Sequence, residues 1–174
     1  MMAVVEKVID APPEQVFEVL ADGWTYSDWV VGTVHVRDVD DTWPRVGSNL
    51  HHRAGPWPFS LQDKSTVLEC QAPHRLVLRA GLWPAGEATV AFALEPLEDG
   101  RTRVTIGEDF AAGPLRWVRT KLNDLVLHLR NRETLARLSD IATRQKPERD
   151  RSLGGASVRP PHGPLDTLSD EPVR

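Results

Sequence analysis

One long helix, placed after a run of short strands, constrains this chain most. Leu115, Val118, Leu122, Leu125, Val126 and Leu129 recur at helical spacing within a stretch that reads as helix from about Pro114 to Lys146. Upstream, Gly and Pro divide strand-like segments from one another. A single helix cannot cover both faces of a sheet. The economical arrangement is a curved antiparallel sheet wrapped around the helix, with a hollow between them. Beyond Leu129 the same sector of the helix would carry Glu133, Ala136 and Asp140, while Leu135, Leu138 and Ala142 lie on another side. Either the helix bends near Arg130–Arg132 or its second half meets a different partner.

The strands follow from β-branched content and alternation. AVVEKVI (3–9) opens the chain as a strand. APPEQVFEVLAD follows, with Pro12 and Pro13 at a helix start, where a missing amide donor costs nothing, and Val16, Phe17, Val19 and Leu20 on its apolar side. WTYSDWV is a second, short helix. Val31–Val39 alternates, with Val34 and Val36 opposite Thr33, His35 and Arg37. Ser48–Ala54, Phe59–Cys70, Arg75–Leu82, Glu87–Glu95 and Thr102–Phe110 complete the strands, the last two joined by an EDG turn at 98–100. The order is strand, two short helices, about six strands and one long helix, which is an α+β domain. From Pro147 the chain loses periodicity, with five Pro and three Gly in 28 residues. The expected division is a folded domain at 1–146 and a disordered tail at 147–174.

Composition removes several function classes. The net charge of −4 builds in no attraction to nucleic acid or anionic lipid. The longest apolar run, about Val90–Leu94, is far short of the ~20 residues that span a bilayer, so no membrane insertion is expected. Glu6 and Asp10 near the start do not suit a secretory leader. Cys70 is the only cysteine, which fits a cytoplasmic protein, and it reads as a small buried hydrophobe. No CxxC, HExxH, GxSxG, P-loop or GxGxxG occurs. No metal site or cofactor is therefore expected.

Taken together, the first strand with APPEQVFEVLAD, the aromatic short helix ending in Trp29, the VG at 46–47 and the closing helix resemble the START-like superfamily, and within it the polyketide cyclase/dehydrase and lipid transport (SRPBCC) members. HHRAGPWPF and GLWPAGEA resemble actinobacterial SRPBCC proteins. The resemblance covers roughly residues 3–145. It implies a helix-grip fold, seven antiparallel strands around the C-terminal helix, with an internal cavity for a hydrophobic small molecule. It does not imply one activity.

Such a cavity needs apolar walls and a few inward polar groups. Trp24, Trp29, Trp57 and Trp83 stand at element ends or in breaks, where a cavity mouth would lie, and Phe92, Leu122 and Val126 belong to the apolar stripes that would line it. Trp43 and Trp117 look like local packing. His51 and His52 point to opposite faces of a strand, so they cannot share a site, and the run is too short to say which is internal. An inward histidine would orient a ligand carbonyl or act as a general base. Glu108 shares the Val104/Ile106 side of its strand and would turn inward. Glu133 is either one half of an ion pair with Arg130 or Arg137 or a carboxylate on the cavity floor. His51, His52, Glu108 and Glu133 are thus the candidate catalytic groups. Three functions remain open: a carrier or sensor of a hydrophobic small molecule, a cyclase/aromatase- or dehydratase-like enzyme using cavity acid–base groups, and an interaction protein with a closed core.

Overall fold

The computed structural model describes residues 3–54, 61–81, 86–112 and 121–144. Its elements are β1 (Ala3–Ile9), α1 (Pro13–Ala21), a short 3₁₀ turn (Gly23–Thr25), α2 (Tyr26–Trp29), β2 (Thr33–Val39), β3 (Asn49–Ala54), β4 (Leu61–Gln71), β5 (Arg75–Gly81), β6 (Glu87–Pro96), β7 (Thr102–Ala112) and α3 (Lys121–Arg144). The strands form one sheet in the order β1-β7-β6-β5-β4-β3-β2, and every pairing is antiparallel. The expected seven-stranded α+β architecture is therefore present. The tail at 147–174, and Trp57, Trp83 and Trp117, lie outside the described residues.

Alternation places the core. In β6, Ala88, Val90, Phe92 and Leu94 are buried, and in β7 Val104 and Ile106 join them. α1 starts on Pro13 and ends at Asp22, whose side chain caps the following 3₁₀ turn by accepting a hydrogen bond from the Trp24 amide at 3.1 Å. Its Val16, Phe17, Val19 and Leu20 are all buried, as the pattern predicts. β2 departs from its pattern. Register shifts between Thr33 and His35 and between Val36 and Asp38 break the alternation, so Val36 is buried while Val34 is exposed.

α3 corrects the expected stripe. Leu125, Val126 and Leu129 are more than half exposed, and the buried face is Asn131, Thr134, Leu135, Leu138 and Ala142. Leu135 lies six residues past Leu129, which turns it about 240° around the helix axis. The helix docks on a face that is partly polar, so counting apolar residues picks the wrong side. Hydrogen bonds make that polarity tolerable. Thr134 Oγ1 accepts from the Val31 amide at 3.3 Å, and the Gln15 side chain donates to the Ala142 carbonyl. α3 thus packs against β1, α1 and α2 through its C-terminal half. Among the described residues no helix is long and apolar enough to cross a membrane.

The two faces of α3 should respond differently to truncation. Leu138→Ala, at a fully buried site, is expected to cost about 2–5 kcal/mol. Leu129→Ala should change stability by less than about 0.5 kcal/mol. Urea denaturation of both variants measures the contrast, and equal losses would contradict this docking.

Candidate functional site

Between the sheet and α3 lies a cavity of about 270 Å³, just under the ~300–1,000 Å³ usual for small-molecule sites. Val90 and Phe92 from β6, Ile106 from β7 and Val30 and Val31 after α2 supply apolar wall. Tyr26, His52, Glu108, Arg130, Asn131 and Thr134 supply polar groups. His52 and Glu108 stand on β3 and β7, four strand spacings apart, which is about 19 Å along a flat sheet. The curl of the sheet lets both line one cavity.

Register decides which histidine enters. His52 pairs with Val36 on β2 and Asp63 on β4, and it is 4 % exposed. His51 pairs with Asp38 and Lys64, is half-buried, and lies in a separate shallow groove with Arg37 and Gln62. Burial pushes the His52 pKa below its ordinary 6.5, and the Leu50 backbone and the Asp63 carboxylate oppose this less strongly. Its Nδ1 is buried with no hydrogen-bond partner among the described residues. Tyr26 packs beside it, with ring centroids 5.8 Å apart. Burial raises the Tyr26 pKa. The Ser65 hydroxyl is close enough to lower it, yet Ser65 Oγ forms no hydrogen bond of good geometry. Both rings stay neutral near pH 7.

Glu108 is the charged group of the far wall, and its side chain is 1 % exposed. A carboxylate in such a place needs compensation. Arg130 forms an ion pair with Oε2, and Asn131 Nδ2 donates to the same oxygen at 3.2 Å. These two residues sit at neighbouring positions of α3, so one helical turn supplies both donors. The Glu108 anchor therefore ties β7 to α3 across the cavity.

The other expected site residues fall elsewhere. Glu133 is exposed and pairs with Arg137 at 2.8 Å, four residues along the helix, so it is no cavity floor. Trp24 is 59 % exposed, because the 3₁₀ turn carries it outward. Trp29 is core instead of mouth, packed edge-on against Tyr26 at 5.1 Å and Phe92 at 5.7 Å. Val126 lies on the outer face of α3 and does not line the cavity. The Leu122 side chain is outside the described residues. Trp43 packs locally, donating from its indole to the Leu20 carbonyl at 3.3 Å. Cys70 is half-buried at the edge of the core. Tyr26, Arg130, Asn131 and Thr134 escaped the sequence reading. The signal for Asn131 was its spacing of four and seven from Leu135 and Leu138. Among the described residues no cluster of His, Cys, Asp and Glu is arranged to hold a metal ion.

Two outcomes follow from these environments. Arg130→Met leaves Glu108 buried without its cation and should cost about 3 kcal/mol, most of it regained in Glu108→Gln/Arg130→Met. Thermal and urea unfolding of the single and double variants measure this. His52 favours its neutral form when folded, so the unfolded chain takes up the proton first as pH falls. Stability should therefore drop from about pH 6.5 down to the folded-state pKa, with no such penalty at higher pH. His52→Gln should flatten that segment of the stability–pH curve relative to wild type, and identical curves would contradict the burial argument.

The family described as polyketide cyclase / dehydrase and lipid transport matches residues 1–142. No functionally curated protein matches the chain. Solved structures share its fold. Protein NE0264 from Nitrosomonas europaea is 16 % identical, with a TM-score of 0.65 over 83 % of this chain and 96 % of that one. Protein CV1439 from Chromobacterium violaceum is 19 % identical, with a TM-score of 0.62 over 81 % and 96 %. DynU16, of the dynemicin biosynthetic locus, is 18 % identical, with a TM-score of 0.61 over 84 % of this chain and 48 % of that one. At such identities the likeness concerns the fold alone.

Proposed function

The chain belongs to the polyketide cyclase / dehydrase and lipid transport family, and on that premise we propose that it binds a small, mainly apolar molecule in the cavity beneath α3, as a cytoplasmic carrier or sensor. The observation that carries this reading is an apolar-walled cavity whose lining includes an inward histidine with an unpartnered buried nitrogen. Burial of apolar surface would drive binding at about 25 cal/mol per Å² removed from water. The polar groups would orient the guest. An interaction protein with a closed core is disfavoured by the same void.

A second reading, a cyclase- or dehydratase-like enzyme, draws on one observation: His52 and Glu108 line the same cavity. A neutral imidazole is suited to accept a proton from a substrate held against it. Glu108 is already engaged by Arg130 and Asn131, so it is less free to meet a substrate. DynU16 belongs to a biosynthetic locus, which is compatible with either role.

Native mass spectrometry of the full-length protein from its own host tests the binding reading. A co-purified small molecule is expected, released on collisional activation. Ala80→Phe sets a ring into the void at a lining position, and it should abolish the adduct while the protein stays folded by circular dichroism. An adduct that persists in Ala80→Phe would place binding elsewhere.

A further inference from the structure

We propose that the cavity selects an uncharged guest bearing a hydroxyl group, which hydrogen-bonds to His52 beside Tyr26, and that it rejects carboxylates. This rests on the reading that the cavity holds a small molecule.

The first argument is the pairing of charges. Arg130 is the one cation among the described lining residues, and Glu108 already engages it. A guest carboxylate would therefore lose its water without gaining an unengaged cation among the described lining residues, and would approach the Glu108 carboxylate. A neutral guest loses far less.

The second argument is hydrogen-bond chemistry. His52 is buried, reaches the cavity wall, and holds a nitrogen with no partner among the described residues. A neutral imidazole has one donor and one acceptor nitrogen, in either tautomer. A hydroxyl both donates and accepts, so it satisfies whichever nitrogen faces it. An ether only accepts. Leaving a buried polar atom unpaired costs enough to discriminate between such guests. Ser65, close to Tyr26, is likewise buried without a well-formed bond, although it does not itself line the cavity.

Calorimetric titration of the full-length protein near pH 7 with three probes tests the proposal: 2-naphthol, 2-methoxynaphthalene and 2-naphthoate. 2-Naphthol should bind about tenfold or more tighter than its methyl ether, and 2-naphthoate should bind more weakly than either. In His52→Phe the ratio of naphthol to ether affinity should collapse to about one, with ether binding retained. If that variant does not fold, the wild-type imidazole ¹⁵N resonances of His52 give the readout. They should move on adding naphthol and stay in place with the ether. Equal affinities, or naphthoate binding tightest, would overturn the proposal and leave the cavity reading standing. Binding of none of the three would overturn both.

Discussion

A carboxylate that has no access to water must be met by donors, and in this protein that requirement organises the fold around the cavity. Glu108 interrupts the inward apolar series Val104, Ile106 on β7 and is nearly inaccessible. α3 meets it with Arg130 and Asn131 from one helical turn. Once those contacts form, the rotation of α3 is fixed. Leu135, Leu138 and Ala142 go into the core, and Leu125, Val126 and Leu129 go outward. A purely apolar contact would tolerate sliding by a methylene or two, whereas a buried ion pair has a single satisfactory position. The anchor also holds the helix above the sheet at the level of Phe92 and Ile106, and the cavity lies in that gap.

The opposite wall follows a different physical rule. His52 feels the Asp63 carboxylate less strongly than it feels its own burial. It is neutralised by burial, and it stands in an aromatic group in which Tyr26 meets Trp29 and Trp29 meets Phe92. The cavity therefore has one wall with a satisfied ion pair and another with neutral, incompletely satisfied hydrogen-bonding groups. Under the proposed binding reading, that asymmetry would give a guest a direction, with its polar group at the His52 end and its apolar body against Val90, Phe92 and Ile106.

Much of this architecture was legible in the sequence, and the misreadings have identifiable causes. Alternation in Glu87–Glu95, the Pro12–Pro13 helix start and the EDG turn are local signals, and local geometry obeys them. Alternation also turned Glu108 inward correctly. The helix stripe misled because the docked face of α3 carries Asn131 and Thr134, whose burial depends on partners more than 20 and about 100 residues away. No local pattern encodes that. The choice between His51 and His52 likewise depends on cross-strand register with β2 and β4, and the irregularities in β2 hide that register from simple alternation. Tryptophans at element ends suggested a mouth, but Trp29 is too well packed between Tyr26 and Phe92 to serve as one, and Trp24 is turned to solvent. The family membership fixes the fold and leaves the guest open, so the chemistry has to be read from the lining residues themselves.

The central claim is that the space between β6, β7 and α3 is a real void that a guest can enter. Xenon occupies apolar cavities without needing hydrogen bonds, so it reports the space independently of any ligand's chemistry. Crystals of the full-length protein, pressurised with xenon and measured for anomalous scattering, test the claim most directly. The account predicts a xenon peak against Val90, Phe92 and Ile106, with Glu108 still bound to Arg130 and Asn131. Continuous side-chain density through that space, with no xenon peak there, would contradict it.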